Sequence, residues 1–277
     1  MSKYSRTWAL IKGSWGILKQ EKRLILFPIL SGLCCLLLMA PFVLRLSEDG
    51  DDEFRLTDDS SLDILIILLG GLLVYSCLHF IVTFFNAAIV AYASLRIREE
   101  DASLKEGFLA ALDCIHLIAG WAIIAATVGL ILTLIEDRLG RFSRLIVEAL
   151  GISWAAVSFL VVPILVIERR NAVTATKESA ELLKEVWGEG LLSNFYLFRV
   201  FLYLSLPGLF VFALGFMIGT NASVVICLSL SLIYFVLLMI AHATLKSIFQ
   251  TALYYYARES MVAEGFRRDD LRRAFSK

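Results

Sequence analysis

Six long apolar blocks, from which charged residues are almost excluded, organise the chain. About 20 residues of helix are needed to cross a hydrocarbon layer of about 30 Å, and every block is long enough. The blocks are continuously apolar, without the alternation of a transmembrane barrel strand, so they predict helices. The predicted spans are Leu24–Leu44, Ile64–Leu95, Cys114–Ile135, Leu145–Ile167, Val200–Gly219 and Val224–Ala257.

Composition agrees with this pattern. Hydrophobic residues make up 59% of the chain and charged residues 19%, and the mean hydropathy is +0.78. A water-soluble domain has about half its residues apolar, so the sequence predicts an all-α, polytopic membrane protein with six transmembrane helices in three hairpins. The formal net charge is zero, which argues against a nucleic-acid partner.

The distribution of Lys and Arg predicts the orientation of the spans. With the N-terminus in the cytoplasm, only five of the 26 basic residues fall in the outer loops. The first outer loop is instead acidic. Cytoplasmic loops carry the excess of basic residues, so we expect a multi-pass protein of the inner membrane with both termini cytoplasmic. The acidic residues of that loop are Glu48, Asp49, Asp51, Asp52, Glu53, Asp58, Asp59 and Asp63.

The second and sixth apolar blocks are longer than a bilayer needs. Their cytoplasmic ends, Phe84–Leu95 and Leu245–Ala257, therefore need cover from other parts of the chain. Three segments with apolar residues at helical spacing predict amphipathic helices that supply it, and Asn171 is placed to cap the third of them. The apolar positions are Trp8, Ile11, Trp15 and Leu18, then Leu104, Phe108, Leu109 and Leu112, then Val173, Leu182, Leu183, Val186 and Trp187.

Each amphipathic segment precedes an odd-numbered span, which predicts an internal repeat within one membrane domain, residues 1–277. The stretch 12–19 aligns with 177–184, and 85–93 aligns with 249–257, at offsets that differ by one residue. We therefore predict repeats at residues 1–95, 96–170 and 171–258, followed by a cytoplasmic tail at residues 259–277.

Short motifs are spread along nearly the whole chain. They are Ser14-Trp15, Leu26-Phe27-Pro28, Phe85-Asn86-Ala87-Ala88, Val161-Val162-Pro163, Ser179-Ala180 with Trp187-Gly188, and Gly265-Phe266. With them the chain resembles an uncharacterised family of bacterial six-span integral membrane proteins. It is more distantly similar to the membrane domain fused to some glycerophosphoryl diester phosphodiesterases. The catalytic barrel of those enzymes has no counterpart in the 277 residues, so the resemblance implies a membrane location and no catalytic chemistry.

Polar residues inside spans are the place to look for a site. Two faces stand out, one on span two and one on span six, and the repeat makes Asn86 equivalent to Gln250. The two faces either line a polar cavity or form hydrogen bonds between helices. Arg199 precedes a Pro207-Gly208 pair, where a kinked helix can bind a solute or can simply be tolerated. The candidate residues are His79, Asn86, Arg199, His242, Lys246 and Gln250.

No catalytic, cofactor or metal motif is recognisable in the sequence. We therefore expect a non-catalytic protein that organises or senses the inner membrane or supports a membrane complex. The alternative is a transporter or channel for a small solute or lipid. The expected partners are the lipid bilayer and, through the basic head and tail of the chain, the anionic lipids of its inner leaflet.

Overall fold

The computed structural model describes residues 15–16, 18–19, 21–48, 60–98, 103–138, 141–186 and 190–259. These residues form helices and no strand. A short 3-10 helix, Lys22–Ile25, leads into the first of them. The α-helices are α1 (Leu26–Glu48), α2 (Ser60–Ile97), α3 (Leu104–Asp113), α4 (Ile115–Arg138), α5 (Arg141–Val157), α6 (Val161–Ile167), α7 (Ala172–Val186), α8 (Gly190–Ile218) and α9 (Asn221–Glu259).

Six helical segments are long and apolar enough to cross a membrane: Lys22–Leu44, Leu68–Ile97, Ile115–Ile135, Val147–Ile167, Arg199–Ile218 and Asn221–Tyr255. They coincide with the six apolar blocks of the sequence. The chain is therefore an all-α polytopic membrane protein, as its hydrophobic pattern predicts. The exposed Leu and Ile residues along these segments are the expected surface of a protein whose solvent is lipid.

The fourth span differs from its prediction. The block Leu145–Ile167 is not one helix, because α5 ends at Val157 and α6 begins at Val161. Pro163 lies in the first turn of α6, and a proline cannot donate the backbone hydrogen bond that would continue α5. Hydropathy reports only that the block is apolar, so it could not reveal this break.

The two long spans are continuous helices whose ends are covered. Helix α2 has 38 residues and α9 has 39, or about 57 Å at 1.5 Å per residue. All residues of α2 from Phe84 to Ser94 are buried except Asn86, and all of α9 from Leu245 to Tyr255 are buried except Lys246. The predicted cover of both apolar extensions is confirmed.

The chain divides into two compact units. Among the described residues, one unit holds the chain up to residue 26, residues 93–98 and residues 181–259. The other holds residues 27–92 and 103–180. The single domain with three repeats stays a prediction.

In the second unit, α3 packs on α2 through small residues. Gly107 and Ala111 are buried, and a Cβ atom on Gly107 would lie 2.8 Å from the carbonyl oxygen of Ala88. Beside them the rings of Phe84 and Phe108 meet edge to face, with centroids 5.4 Å apart. The second amphipathic helix thus exists, and a capping box, which the spacing of Ser103 and Glu106 could have revealed, starts it.

The packed face of α3 is only partly the one the apolar spacing predicted. Phe108 lies against Phe84 as expected, but Leu109 and Leu112 are 45% and 38% exposed. Glycine and alanine allow the two backbones to approach closely, and these two leucines are turned away. The prediction was wrong for Leu109 and Leu112 because it counted apolar side chains and ignored small ones.

The third amphipathic helix, α7, begins where predicted. The Asn171 side-chain oxygen accepts a hydrogen bond from the backbone N–H of Thr174, at 2.9 Å, which is an N-cap. Leu182 and Leu183 are buried as expected, but Val173 is 56% exposed. Trp187 lies outside the described residues. So does most of the first amphipathic segment, of which Trp15 and Leu18 are helical.

Spans three and four pack through aromatic and small residues. Their contact includes the stacked rings of Trp121 and Trp154, with centroids 5.6 Å apart, and Ala122 and Ala126 are buried. Gly129 instead lies against the ring of Tyr75, on span two. Ala155 is exposed and Gly151 has open space around it, so these two small residues of span four do not take part in close helix packing.

Candidate functional site

The six candidate residues fall into two groups. His79 and Asn86 belong to one compact unit, and Arg199, His242, Lys246 and Gln250 belong to the other. The expected meeting of Asn86 and Gln250 stays a prediction, and each group is described by itself.

On α2, His79 and Asn86 are both half-buried. The ring of His79 lies 6.4 Å from the ring of Tyr75, one turn away. Its Nε2 atom is buried and has no hydrogen-bond partner among the residues that the structure describes. Asn86 has buried neighbours on both sides along the helix, Phe85 and Ala87.

On α9, His242, Lys246 and Gln250 follow one side of the helix at intervals of one turn. The imidazole of His242 is half-buried and meets the ring of Phe201 on α8 edge to face, with centroids 4.7 Å apart. Lys246 is half-buried and Gln250 is buried. His242 is thus part of the packing between two helices.

Arg199 is exposed on α8. It precedes Phe201, which faces α9, by two residues. Two residues correspond to a rotation of about 200° around a helix, so the Cα atoms of Arg199 and Phe201 lie on different sides of α8.

Side chains of α9 pack against α8 around Pro207. The Tyr234 hydroxyl donates to the carbonyl oxygen of Leu204 at 2.5 Å, and the Ser231 hydroxyl donates to that of Gly208 at 3.1 Å. A Cβ atom on Gly208 would lie 2.6 Å from the Tyr234 ring, so glycine is what lets this ring lie against the helix. The sequence did not identify Tyr234 or Ser231 as functional positions, because only the Pro207-Gly208 pair stands out in it.

Tyr234→Phe should destabilise the α8–α9 hairpin modestly. The change removes one hydrogen bond between membrane helices, which is worth about 0.6 kcal/mol on average and rarely more than about 1.7 kcal/mol. Unfolding of the detergent-solubilised chain in SDS, followed by circular dichroism, measures it. Tyr203→Phe is the matched control, because Tyr203 is 61% exposed and should change nothing.

A side chain of α7 forms hydrogen bonds with the backbone at the break in span four. The Ser179 hydroxyl donates to the carbonyl oxygen of Val157, at 2.5 Å, and accepts from the backbone N–H of Leu160, at 3.2 Å. Ser179 and Leu160 are fully buried. One hydroxyl thus satisfies both a donor and an acceptor that the interrupted helix leaves without helical partners. The resemblance marked Ser179 as a motif residue, but without a role.

A polar cluster lies at the end of α2 in the first unit. The Tyr255 hydroxyl is 2.6 Å from the hydroxyl of Ser94 and accepts a hydrogen bond from Arg98 Nε at 3.0 Å. The guanidinium carbon of Arg98 also lies 5.6 Å from the centre of the Tyr255 ring. Near it, Arg96 and Glu21 form an ion pair at 3.6 Å. The cluster ties α9 to the end of α2.

Among the described residues, no group of three or more His, Cys, Asp or Glu side chains is placed to hold a metal ion. What the geometry builds instead is a set of contacts between helices. The polar groups that break the apolar pattern, at Ser179, Ser231, Tyr234 and Tyr255, bind the chain's own backbone or side chains.

Comparison with known proteins gives one match. The model of a family of unknown function, DUF6159, matches residues 64–265, and the chain belongs to this family. The match begins with the second apolar block and includes the break in span four and the whole α8–α9 hairpin. No curated protein and no solved structure matches the chain.

Proposed function

We propose that this member of DUF6159 is a non-catalytic scaffold of the inner membrane, which organises or senses the bilayer or supports a membrane complex. Both of its termini lie in the cytoplasm in this proposal. One observation carries it: at the break in span four, a side chain of the chain itself occupies the backbone donor and acceptor that the break sets free.

The argument comes from how transporters use such points. Discontinuous transmembrane helices in transporters bind substrates and ions through backbone groups that the break sets free. Here Ser179 holds the Val157 carbonyl and the Leu160 amide, which the break in span four sets free. Tyr234 and Ser231 bind two further carbonyls, of the helix that contains Pro207. A solute would have to displace these bonds, whereas a scaffold uses them to keep its helices in place.

The sidedness and the repeat belong to the proposal too. The scarcity of Lys and Arg in the presumed outer loops supports an inner membrane with cytoplasmic termini. The motif pairs at similar offsets support a repeat that relates residues 1–95 to residues 171–258, and residues 96–170 are proposed as a third copy. The distant similarity to the membrane domain of glycerophosphoryl diester phosphodiesterases fits a non-catalytic membrane part. A membrane-impermeant thiol reagent tests the sidedness. It should label Asp51→Cys in intact cells and Lys105→Cys only after permeabilisation; the reverse pattern would invert the topology.

Complementation of a strain that lacks the gene tests the scaffold. Alanine at His79, His242 and Gln250 should leave the rescue intact, because these side chains then serve only packing. Trp15→Glu should abolish it, since Trp15 is 45% exposed and available to a lipid or protein partner. Both variants must reach the membrane in the amount of the unaltered chain. Rescue by Trp15→Glu combined with loss of rescue by the alanine variant would contradict the scaffold.

One observation favours the alternative, a transporter or channel. The buried Nε2 atom of His79 lacks a hydrogen-bond partner among the described residues, and a buried polar group without a partner is costly unless it has a role. If His79→Ala alone abolished rescue while the thermal stability of the chain stayed unchanged, a solute or proton pathway past His79 would replace the scaffold as the best explanation.

A further inference from the structure

The exposed side of α3 continues into the exposed side of the transmembrane helix α4. Leu109 and Leu112 are 45% and 38% exposed, and Ile123 and Leu134 of α4 are 58% and 39% exposed. At 100° per residue these four positions lie on one face of a helix. The buried positions form the opposite face and also run from α3 into α4. They are Gly107, Ala111, Cys114, Ile118 and Ala125.

The turn at Cys114 does not interrupt these two faces. The backbone N–H groups of Leu117 and Ile118 both donate to the carbonyl oxygen of Cys114, at 2.9 Å and 3.0 Å. Cys114 itself, with φ −99° and ψ 10°, is not helical, but the buried positions around it keep helical spacing, with Gly107 and Ala111 before it and Ile118 after it. Because Ile123 lies in the middle of a span and faces lipid, the exposed leucines three to four turns earlier lie on the lipid side as well.

The ends of the leucine pair are polar. Lys105, one turn before Leu109, and His116, one turn after Leu112, are both exposed on the same face. The nearby carboxylates are already engaged: Glu106 accepts from the backbone N–H of Ser103 at 2.8 Å, and Asp113 pairs with Arg169 at 3.4 Å. This face is thus apolar at its centre, carries the ammonium group of Lys105 at one end and has the polar side chain of His116 at the other.

We infer that Lys105, Leu109, Leu112 and His116, the leucine face, form a binding surface for an anionic phospholipid. The leucines contact the glycerol region and the upper acyl chains, and the Lys105 ammonium binds the phosphate. This is how interfacial amphipathic helices bind a leaflet. The surface is separate from the basic head and tail of the chain. The inference requires that span three crosses the membrane. It does not require a particular sidedness or the scaffold role.

Photo-crosslinking identifies the occupant directly. The full chain carries p-benzoylphenylalanine at Leu109 or Leu112 in nanodiscs of phosphatidylcholine and phosphatidylglycerol, and the mass of the irradiated chain is measured. We expect a phospholipid adduct at both positions, similar in yield to that at Leu237, which is 61% exposed on α9. Glu181, exposed on α7, is the control without lipid. A crosslink to a second copy, or no lipid adduct where Leu237 gives one, would overturn the inference.

A charge reversal tests the phosphate contact. Lys105→Glu should lower the ratio of phosphatidylglycerol to phosphatidylcholine adducts about fivefold, as expected for loss of one basic residue at an anionic surface. Lys177→Glu, at an exposed lysine of α7, should leave the ratio unchanged. Excess inorganic phosphate should not reduce the adducts, because the acyl chains hold the lipid. An unchanged ratio in Lys105→Glu, or competition by free phosphate, would contradict lipid binding at this face.

Discussion

Replacing Gly107 by leucine should separate α3 from α2 and lower the free energy of unfolding by about 3 kcal/mol. The Cβ atom alone would lie 2.8 Å from the Ala88 carbonyl oxygen and 3.1 Å from the Tyr92 Cβ. Both belong to a helix that cannot move aside as a flexible side chain can. Unfolding of the detergent-solubilised chain in SDS, followed by circular dichroism, measures the loss.

Two Gly→Ala variants separate the effect of the close backbone approach at Gly107 from the effect of helix propensity. In a helix interior, Gly→Ala normally adds about 0.5–1 kcal/mol of stability. Gly120→Ala should show that gain, because no atom lies within 4 Å of its added Cβ. Gly107→Ala should instead destabilise. Equal gains in the two variants would mean that the approach of α3 to Ala88 does not exist in the folded chain.

Ser179→Ala should destabilise the chain by a similar amount, about 3 kcal/mol, because it leaves two buried backbone groups without partners. Each such group costs about 1–3 kcal/mol. The loss should be local as well as global: hydrogen exchange at the amide of Leu160 should become faster, since its acceptor at 3.2 Å is gone. Unfolding in SDS and mass-spectrometric hydrogen exchange of the segment 157–166 report the two effects.

Ser153→Ala is the matched control for Ser179. The Ser153 hydroxyl is exposed and donates to the carbonyl oxygen of Ala149 in its own helix, at 2.8 Å. Its loss removes no contact between helices, so we expect a change within about 0.5 kcal/mol. If Ser179→Ala matched Ser153→Ala in both stability and exchange, the two ends of the broken span would not depend on Ser179.

Together these variants test one structural feature of the chain. Small or hydroxyl-bearing residues sit where backbones come close or where a helix is interrupted, and each contact lies within one compact unit. Gly208 and Gly215 do for the α8–α9 hairpin what Gly107 does for α3: a Cβ atom would meet Tyr234 at 2.6 Å and Cys227 at 2.8 Å. Gly219, four residues after Gly215, does not pack in this way. Gly219 has a φ of +75° and open space around it, so it serves the turn.

The candidate site shows why polar residues in a span are weak predictors of chemistry. The sequence marked His242 because it is titratable, and the structure places its ring against Phe201. Ser179, which satisfies backbone groups freed by the break in span four, and Tyr234, which binds a carbonyl oxygen of α8, carry no such mark, because their partners lie 22 and 30 residues away.

The lengths of the apolar blocks determined the most from sequence alone. They gave six spans, the approximate limits of these spans, and two helices that are longer than the bilayer requires. Backbone groups in lipid must be satisfied within the helix, so a sufficiently long apolar block leaves the chain little choice. Tertiary structure decided what length does not encode. It broke span four at residues 158–160, turned the glycine and alanine side of α3 inward, and left Leu109 and Leu112 exposed. These outcomes depend on how closely two backbones approach, and that distance is set by partners remote in the chain.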